Sequence, residues 1–315
     1  MLSRRSFVKG AAVAAVGSIV GRPPLPVAAS ASKVSRQVPG YFRLEVGDFE
    51  ITALYDGGLF NDPKILHGAT PGEIAALLKA AGFWTKGGQY PIPINAFLIN
   101  SGRNLILVDT GAGANFGGKA GLLPSNLRAA GYDPGQIDTV LLTHLHSDHA
   151  MGLADQAGHP VFPNATVRVH EAEAAYWLDK NAGVRAAVAP YKAAGAFATF
   201  ATGATPVSGV EAEPVIGHTP GHCCYRVRSR GENILFWGDI VHCLPVQFPR
   251  PEVSIDFDVD QHAAVAARNQ LMAAATEEKC WVAGAHLPFP GIGLLQASPP
   301  GYQWWPALYA VQPSA

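Results

Sequence analysis

Thr143-His144-Leu145-His146-Ser147-Asp148-His149 gathers three imidazoles and a carboxylate directly behind the apolar run Ile137 to Leu142. A continuous apolar run of that length reads as a buried strand, so the cluster lies on the loop at a strand's end. Imidazole and carboxylate are the ligands that suit zinc and related divalent ions. His144 and His146 project from one side of an extended stretch and can grip one ion, while Asp148 and His149 follow the turn and can reach a second. So many polar groups at a strand end are costly to bury unless something compensates them.

Three later stretches extend the cluster. Gly217-His218-Thr219-Pro220-Gly221-His222 supplies another histidine at a tight turn, Gly238-Asp239 places a carboxylate after the strand ending at Trp237, and Ala283-Gly284-Ala285-His286 closes the last strand with a histidine. All sit at strand ends, where an active site on the rim of a sheet is assembled. With the first cluster they make seven ligands, enough for two ions sharing one carboxylate.

The rest of the chain reads as strand runs with interspersed helices in two similar halves. Tyr41 to Val46 and Phe49 to Tyr55 form a hairpin about Gly47-Asp48. Thr70-Pro71-Gly72-Glu73 opens a helix with a capping box, and that helix ends near Gly82. Ile94 to Ile99 and Asn104 to Val108 form a second hairpin, and Leu122 to Ala130 a helix stopped by Gly131. In the second half, Thr166 to Val169 is a strand, His170 to Asp179 a helix, and Val215 to His218 a strand end. Tyr225 to Arg228 and Asn233 to Trp237 make a hairpin, Asp260 caps a helix to about Glu278, and Trp281 to Ala283 is a last strand. The pattern predicts an α/β chain of two packed sheets with helices outside.

Composition narrows the function classes. A net charge of -1 excludes a strongly basic nucleic-acid binder, and 48% apolar residues give ample material for a core. Ser3-Arg4-Arg5-Ser6-Phe7-Val8-Lys9 precedes an apolar run, Ala11 to Val20, too short to span a bilayer, and Ala29-Ser30-Ala31 reads as a cleavage site. This resembles a twin-arginine export signal over residues 1–31, which implies a periplasmic or secreted protein with no stable membrane insertion after cleavage, its catalytic domain spanning residues 32–315. Cys223, Cys224, Cys243 and Cys280 include no C-x-x-C pair; Cys243 and Cys280 could pair in an oxidising compartment, but buried free thiols are the expectation for most of them.

The order HxHxDH, GHTPGH, GD and a strand-end His resembles the metallo-β-lactamase superfamily over nearly the whole mature chain. The resemblance implies an αβ/βα sandwich, one ion on His144, His146 and His222, a second on Asp148, His149 and His286, and Asp239 bridging them. It leaves His218 opening the turn without ligating. Leu107-Val108-Asp109-Thr110-Gly111 matches the superfamily's early motif, with Asp109 orienting a ligand.

Pro39-Gly40-Tyr41-Phe42-Arg43, Gly47 to Leu54, Val246-Gln247-Phe248 and Ala285-His286-Leu287-Pro288-Phe289-Pro290-Gly291-Ile292-Gly293 are similar to methyl parathion hydrolase and its relatives. That similarity implies a hydrolase of phosphotriesters, aryl esters or lactones, N-acyl homoserine lactones included; the sequence is also compatible with a homodimer. It implies an aromatic pocket at Phe116 and Trp177. His242 stands where an apolar pocket residue is expected, and Ala182 to Ala198 is poorer in Phe than the relatives' lid region.

Two divalent ions, zinc by ligand type, would lower the pKa of a shared water, with Asp148 relaying its proton and Asp239 joining the ions. Alternatives of the same fold are a β-lactamase, which Asp239 argues against, and an iron-dependent oxidoreductase, which seven ligands argue against.

Overall fold

A computed structural model describes residues 33–34, 37–83 and 87–310. The chain divides after Gln37; the second unit begins at Val38, and the expected export signal lies outside the described residues. Among the described residues no helix is long and apolar enough to cross a membrane.

The second unit is built on two sheets. The first runs, edge to edge, Tyr41–Val46, Phe49–Asn61, Tyr90–Asn100, Leu105–Val108, Thr139–Leu141, Thr166–His170 and Phe197–Phe200. Its first four strands pair antiparallel and its last four parallel. The second runs Gly301–Pro306, Ile292–Ser298, Trp281–Gly284, Glu232–Gly238, Cys223–Ser229 and Glu211–Pro214. A short pairing of Leu66–His67 with Ser254–Ile255 stands apart from both.

Period-two alternation decides which side chains meet where. Ile106 and Val108 join Phe97, Ile99, Val227, Ile234 and Phe236 in the layer between the sheets. Leu107, one residue over, faces the opposite side with Leu98 and Val140, under Leu127 of helix Leu123–Ala129 and Val184 and Val188 of helix Ala182–Ala193. On the outer face of the second sheet, Leu235, Trp237 and Val282 pack against Leu271, Met272 and Ala275 of helix Gln261–Glu277. The expected αβ/βα sandwich is present, with helices outside both sheets.

Local signals held where their chemistry is self-contained. Thr70 and Glu73 form both bonds of the capping box on helix Pro71–Ala80, and Asp260 caps the helix beginning at Gln261. Two expectations change. Val215 to His218 is not a strand end: the strand stops at Pro214 and residues 215–222 form a turn. The hairpin Ile292–Ser298 with Gly301–Pro306 follows the strand expected to be last. All four cysteines are buried and free, as expected for most of them.

Candidate metal centre and substrate pocket

The strand Thr139–Leu141 delivers the chain into the His144–His149 loop, and Leu145 is held inside by its backbone N–H donating to Glu173 Oε1 at 2.9 Å. The other oxygen of Glu173 accepts from Gly221 N–H at 2.9 Å. One buried carboxylate thus staples the first histidine loop to the 217–222 turn, though the two lie far apart in sequence. Burial raises the Glu173 carboxyl against these donors.

Asp109 organises the other side. It sits at φ 62°, a conformation that costs a non-glycine residue strain and is typical of functional positions. Its Oδ1 accepts from Thr143 N–H at 2.8 Å, and its Oδ2 from the Thr143 hydroxyl and His149 Nδ1–H, each at 2.8 Å. Since the Thr143 hydroxyl donates to Asp109, it accepts from His144 Nδ1–H, 3.0 Å away. The expected orienting role of Asp109 therefore reaches two imidazoles, each left with a free Nε2.

His286 is fixed in the same sense by donating Nδ1–H to Pro93 O at 2.7 Å. His218 donates Nδ1–H to Asp258 Oδ1 at 2.8 Å. Asp258, buried, also lies 3.7 Å from the Arg268 guanidinium, which anchors itself on Ile240 O, Pro251 O and Val253 O. No local sequence signal marks Asp258 or Glu173, because each acts through a partner distant in the chain.

The free nitrogens converge. His144, His146, His218 and Asp239 each offer one donor atom, all within 4.8 Å of one another; so do Asp148, His149 and His286, and so do Asp239, His242 and His286. Asp239 Oδ2 lies 3.5 Å from His144 Nε2, 3.2 Å from His218 Nε2 and 3.1 Å from His286 Nε2, and its Oδ1 lies 3.1 Å from His149 Nε2. Asp239 thus belongs to two of these donor groups.

The ligand assignment at the turn is corrected. The resemblance pointed to His222 with His218 outside, but it is His218 whose Nε2 stands 3.0 Å from His146 Nδ1. His222 opens the strand below, and its Nε2 accepts the Asp239 backbone N–H at 3.1 Å, so no lone pair is left for an ion. Two glycines make this arrangement. Gly217 has φ +147°, and a Cβ there would meet Ala264 N at 2.3 Å; Gly238 has φ +55°, and a Cβ there would meet His222 Nε2 at 2.5 Å. The GHTPGH motif contains both histidines, and only the turn's path decides which one points up.

These residues fit a metal. His144 and His218 are both held through Nδ1, so their Nε2 atoms turn toward His146 Nδ1, 3.0 Å from each, and three imidazole nitrogens gather about one point as the ligands of one cation would. His149 Nε2 and Asp239 Oδ1 are buried 3.1 Å apart, and neither makes a hydrogen bond. The electrostatics also call for positive charge. Burial would raise Asp239, yet His149 and His286 hold it well below the carboxylate range; burial would lower His218, yet Asp239 and Asp258 raise it to about 9. His146, dominated by burial, is lowered to about 3.

A cavity of about 440 Å³ opens above this floor, lined in part by His146, Asp148, Asp239 and His286. Phe116, Trp177 and His242 also line it, as the sequence led us to expect. Trp177 packs edge-on to His146, with ring centroids 4.9 Å apart. His242 reaches Asp239 Oδ2 with Nε2 at 3.1 Å, and its backbone N–H is held by Gln247 Oε1 at 2.8 Å.

The family model of the metallo-beta-lactamase superfamily matches residues 90–278. Among solved structures, the chain is similar to AbOPH, a hydrolase in the beta lactamase superfamily, with 39% identity, TM-score 0.84, and coverage of 88% of this chain and 100% of that one. It is also similar to AidC, a dizinc quorum-quenching lactonase solved with a homoserine product, with 25% identity, TM-score 0.77, and coverage of 86% and 99%. An atrochrysone carboxyl ACP thioesterase from Passalora fulva is 32% identical over 150 residues, 47% of this chain; the match spans only 38% of that protein's length. The matched family model takes in the His144–His149 loop, the 217–222 turn and Asp239. The chain is a hydrolase of the metallo-beta-lactamase superfamily.

Proposed function

We propose that this chain is a two-metal hydrolase of phosphotriesters, aryl esters and lactones, N-acyl homoserine lactones included. The observation that carries the reading is Asp239, shared between two donor groups on the floor of a cavity walled by Phe116 and Trp177. His144, His146 and His218 would hold one divalent ion, zinc by ligand type, and Asp148, His149 and His286 the other, with Asp239 between. Such ions supply a water-derived nucleophile at neutral pH and polarise the substrate oxygen.

The chain's own residues do the rest. Asp148 keeps part of its carboxylate exposed toward the cavity, where it can hold a proton on its way to the leaving group. Phe116 and Trp177 offer flat apolar surface to an aryl or acyl group. His242 adds a polar contact beside Asp239. The hydrolase AbOPH and the lactonase AidC support the ester-bond reading. A β-lactamase is disfavoured by Asp239, since β-lactamases carrying HxHxDH generally lack that bridging carboxylate.

The test is turnover of paraoxon, an aryl acetate, a homoserine lactone and nitrocefin by purified, metal-assayed protein. Hydrolysis of one of the first three with about two ions per chain is expected; nitrocefin turnover matching the best ester would replace this reading. We also propose that residues 1–31 direct twin-arginine export to the periplasm or beyond. Replacing Arg4 and Arg5 with lysine should retain the protein in the cytoplasm of a bacterial host, and unchanged export would remove the assignment.

A further inference from the structure

The mouth of the cavity has a charge character that the ester-hydrolase reading does not specify. Its walls are apolar, with Leu59, Ile92, Phe116, Trp177, Phe257 and Val259. Phe116, Phe257 and Val259 are exposed although large and apolar, so the rim offers contact surface. Among the described residues that line the cavity there is no lysine and no arginine, whereas Asp148, Asp239, Asp256 and Asp258 all line it. Asp239 and Asp258 are buried against histidines, and Asp148 faces His286 and His149. Asp256 is different: its side chain is 52% exposed, and its one partner by ion pairing is the half-exposed His67 at 2.5 Å.

Asp256 is also held in place. It follows the strand Ser254–Ile255, which pairs with Leu66–His67, and its backbone N–H donates to Ile65 O at 2.9 Å. A carboxylate so anchored at an apolar mouth repels an anion arriving there, and away from the ions proposed for the floor no lining lysine or arginine offers a carboxylate or phosphate a partner. An ammonium group, by contrast, meets a carboxylate in a cavity that Phe257 and Phe116 also line.

Resting on the ester-hydrolase reading, we propose that this pocket selects esters by charge: it takes substrates whose acyl or alkyl tail is neutral or cationic and turns away those with an anionic tail, with Asp256 setting the preference. A β-lactam carboxylate and the phosphate of a carrier-protein thioester both fall in the rejected class.

The experiment compares three 4-nitrophenyl esters with the same leaving group and similar tails: the hexanoate, the adipate monoester and the 6-(trimethylammonio)hexanoate. At low salt kcat/KM for the hexanoate should exceed that for the anionic ester by about tenfold, and the gap should narrow with added salt. The cationic ester should match or exceed the hexanoate. Asp256→Asn should shrink the neutral-to-anionic ratio and Asp256→Lys should invert it. Ratios within about twofold of unity in the parent enzyme, or ratios indifferent to both substitutions, would overturn the proposal. Calorimetric binding of the corresponding 4-nitroanilides to the metal-loaded protein ranks the same tails without turnover. Dead esters with an intact binding order would remove the hydrolase reading and leave the charge preference standing; a flat binding order would remove the preference itself.

Discussion

Asp258 Oδ1 accepts the Nδ1–H of His218 at 2.8 Å, across 40 residues of chain, and thereby aims His218 Nε2 at His146 and Asp239. The same loop is clamped to the histidine turn by Val259 N–H on His218 O and Asp260 N–H on Gly217 O, each at 2.9 Å. Phe257 and Val259, on either side of Asp258, line the cavity. One segment therefore shapes the pocket mouth and sets the orientation of a candidate ligand.

Asp258→Asn should weaken metal binding by about 10–100-fold, the usual consequence of losing a carboxylate that orients a ligating imidazole. Competition with a chromogenic chelator measures it directly. Unaltered affinity would show that His218 is oriented without Asp258.

The two histidines of the turn separate cleanly. His218→Ala should lower bound metal by about one equivalent, whereas His222→Ala should retain both and instead lower stability, because Asp239 N–H loses its buried acceptor at a cost of about 1–3 kcal/mol. Elemental analysis of the two variants beside their denaturation midpoints decides between His218 and His222.

Asp239→Ala should lower metal content and nearly abolish aryl ester hydrolysis, because five histidine nitrogens lie within 3.5 Å of its carboxylate. Full metal occupancy with unchanged turnover would remove Asp239 from the centre of the site.

Metal removal should cost stability as well as activity. His149 Nε2 and Asp239 Oδ1 are buried side by side without a hydrogen bond, and the nitrogens of His144, His146 and His218 crowd one point, so a bound cation would stabilise the site. Chelation should therefore lower Tm by on the order of 5 °C, with recovery on adding zinc. An unchanged Tm after verified depletion would count against the site.

Asp56 gives a prediction about pH. Its carboxylate accepts from the N–H groups of Ala112, Gly121 and Leu123, and burial raises its carboxyl above the ordinary 3.8 despite those donors. With the folded value raised, the folded state holds this proton more tightly than the unfolded chain does. The group's contribution is thus largest below pH 3.8 and declines as pH rises toward its folded value. Denaturation of the parent and Asp56→Asn from pH 4 to 7 should show that decline in the parent alone. Asp56→Ala should cost at least about 3 kcal/mol through its unpaired donors.

Much of the architecture follows from local chemistry. The capping box at Thr70 and Glu73, the alternation through Ile106, Leu107 and Val108, and the apolar approach to His144 each act within a few residues, so they are legible in order along the chain. The C-terminal hairpin after Ile292 lies in a stretch rich in Gly and Pro, and its pairing is decided by the sheet it joins. The donor residues of the His144–His149 loop, Asp239 and His286 were likewise readable as candidates, and Phe116, Trp177 and His242 line the cavity.

What the sequence by itself determined is which donors exist and which strands carry them. The tertiary structure alone decided that His218 faces the centre while His222 supports Asp239 from below. That choice depends on the close approach of Gly217 to the helix at Ala264, on Gly238 leaving room for the His222 ring, and on Asp258 and Glu173 bonding across the fold. A side chain's direction at a turn is set by the backbone path and its distant partners, and neither is encoded in the spacing of the motif that contains it.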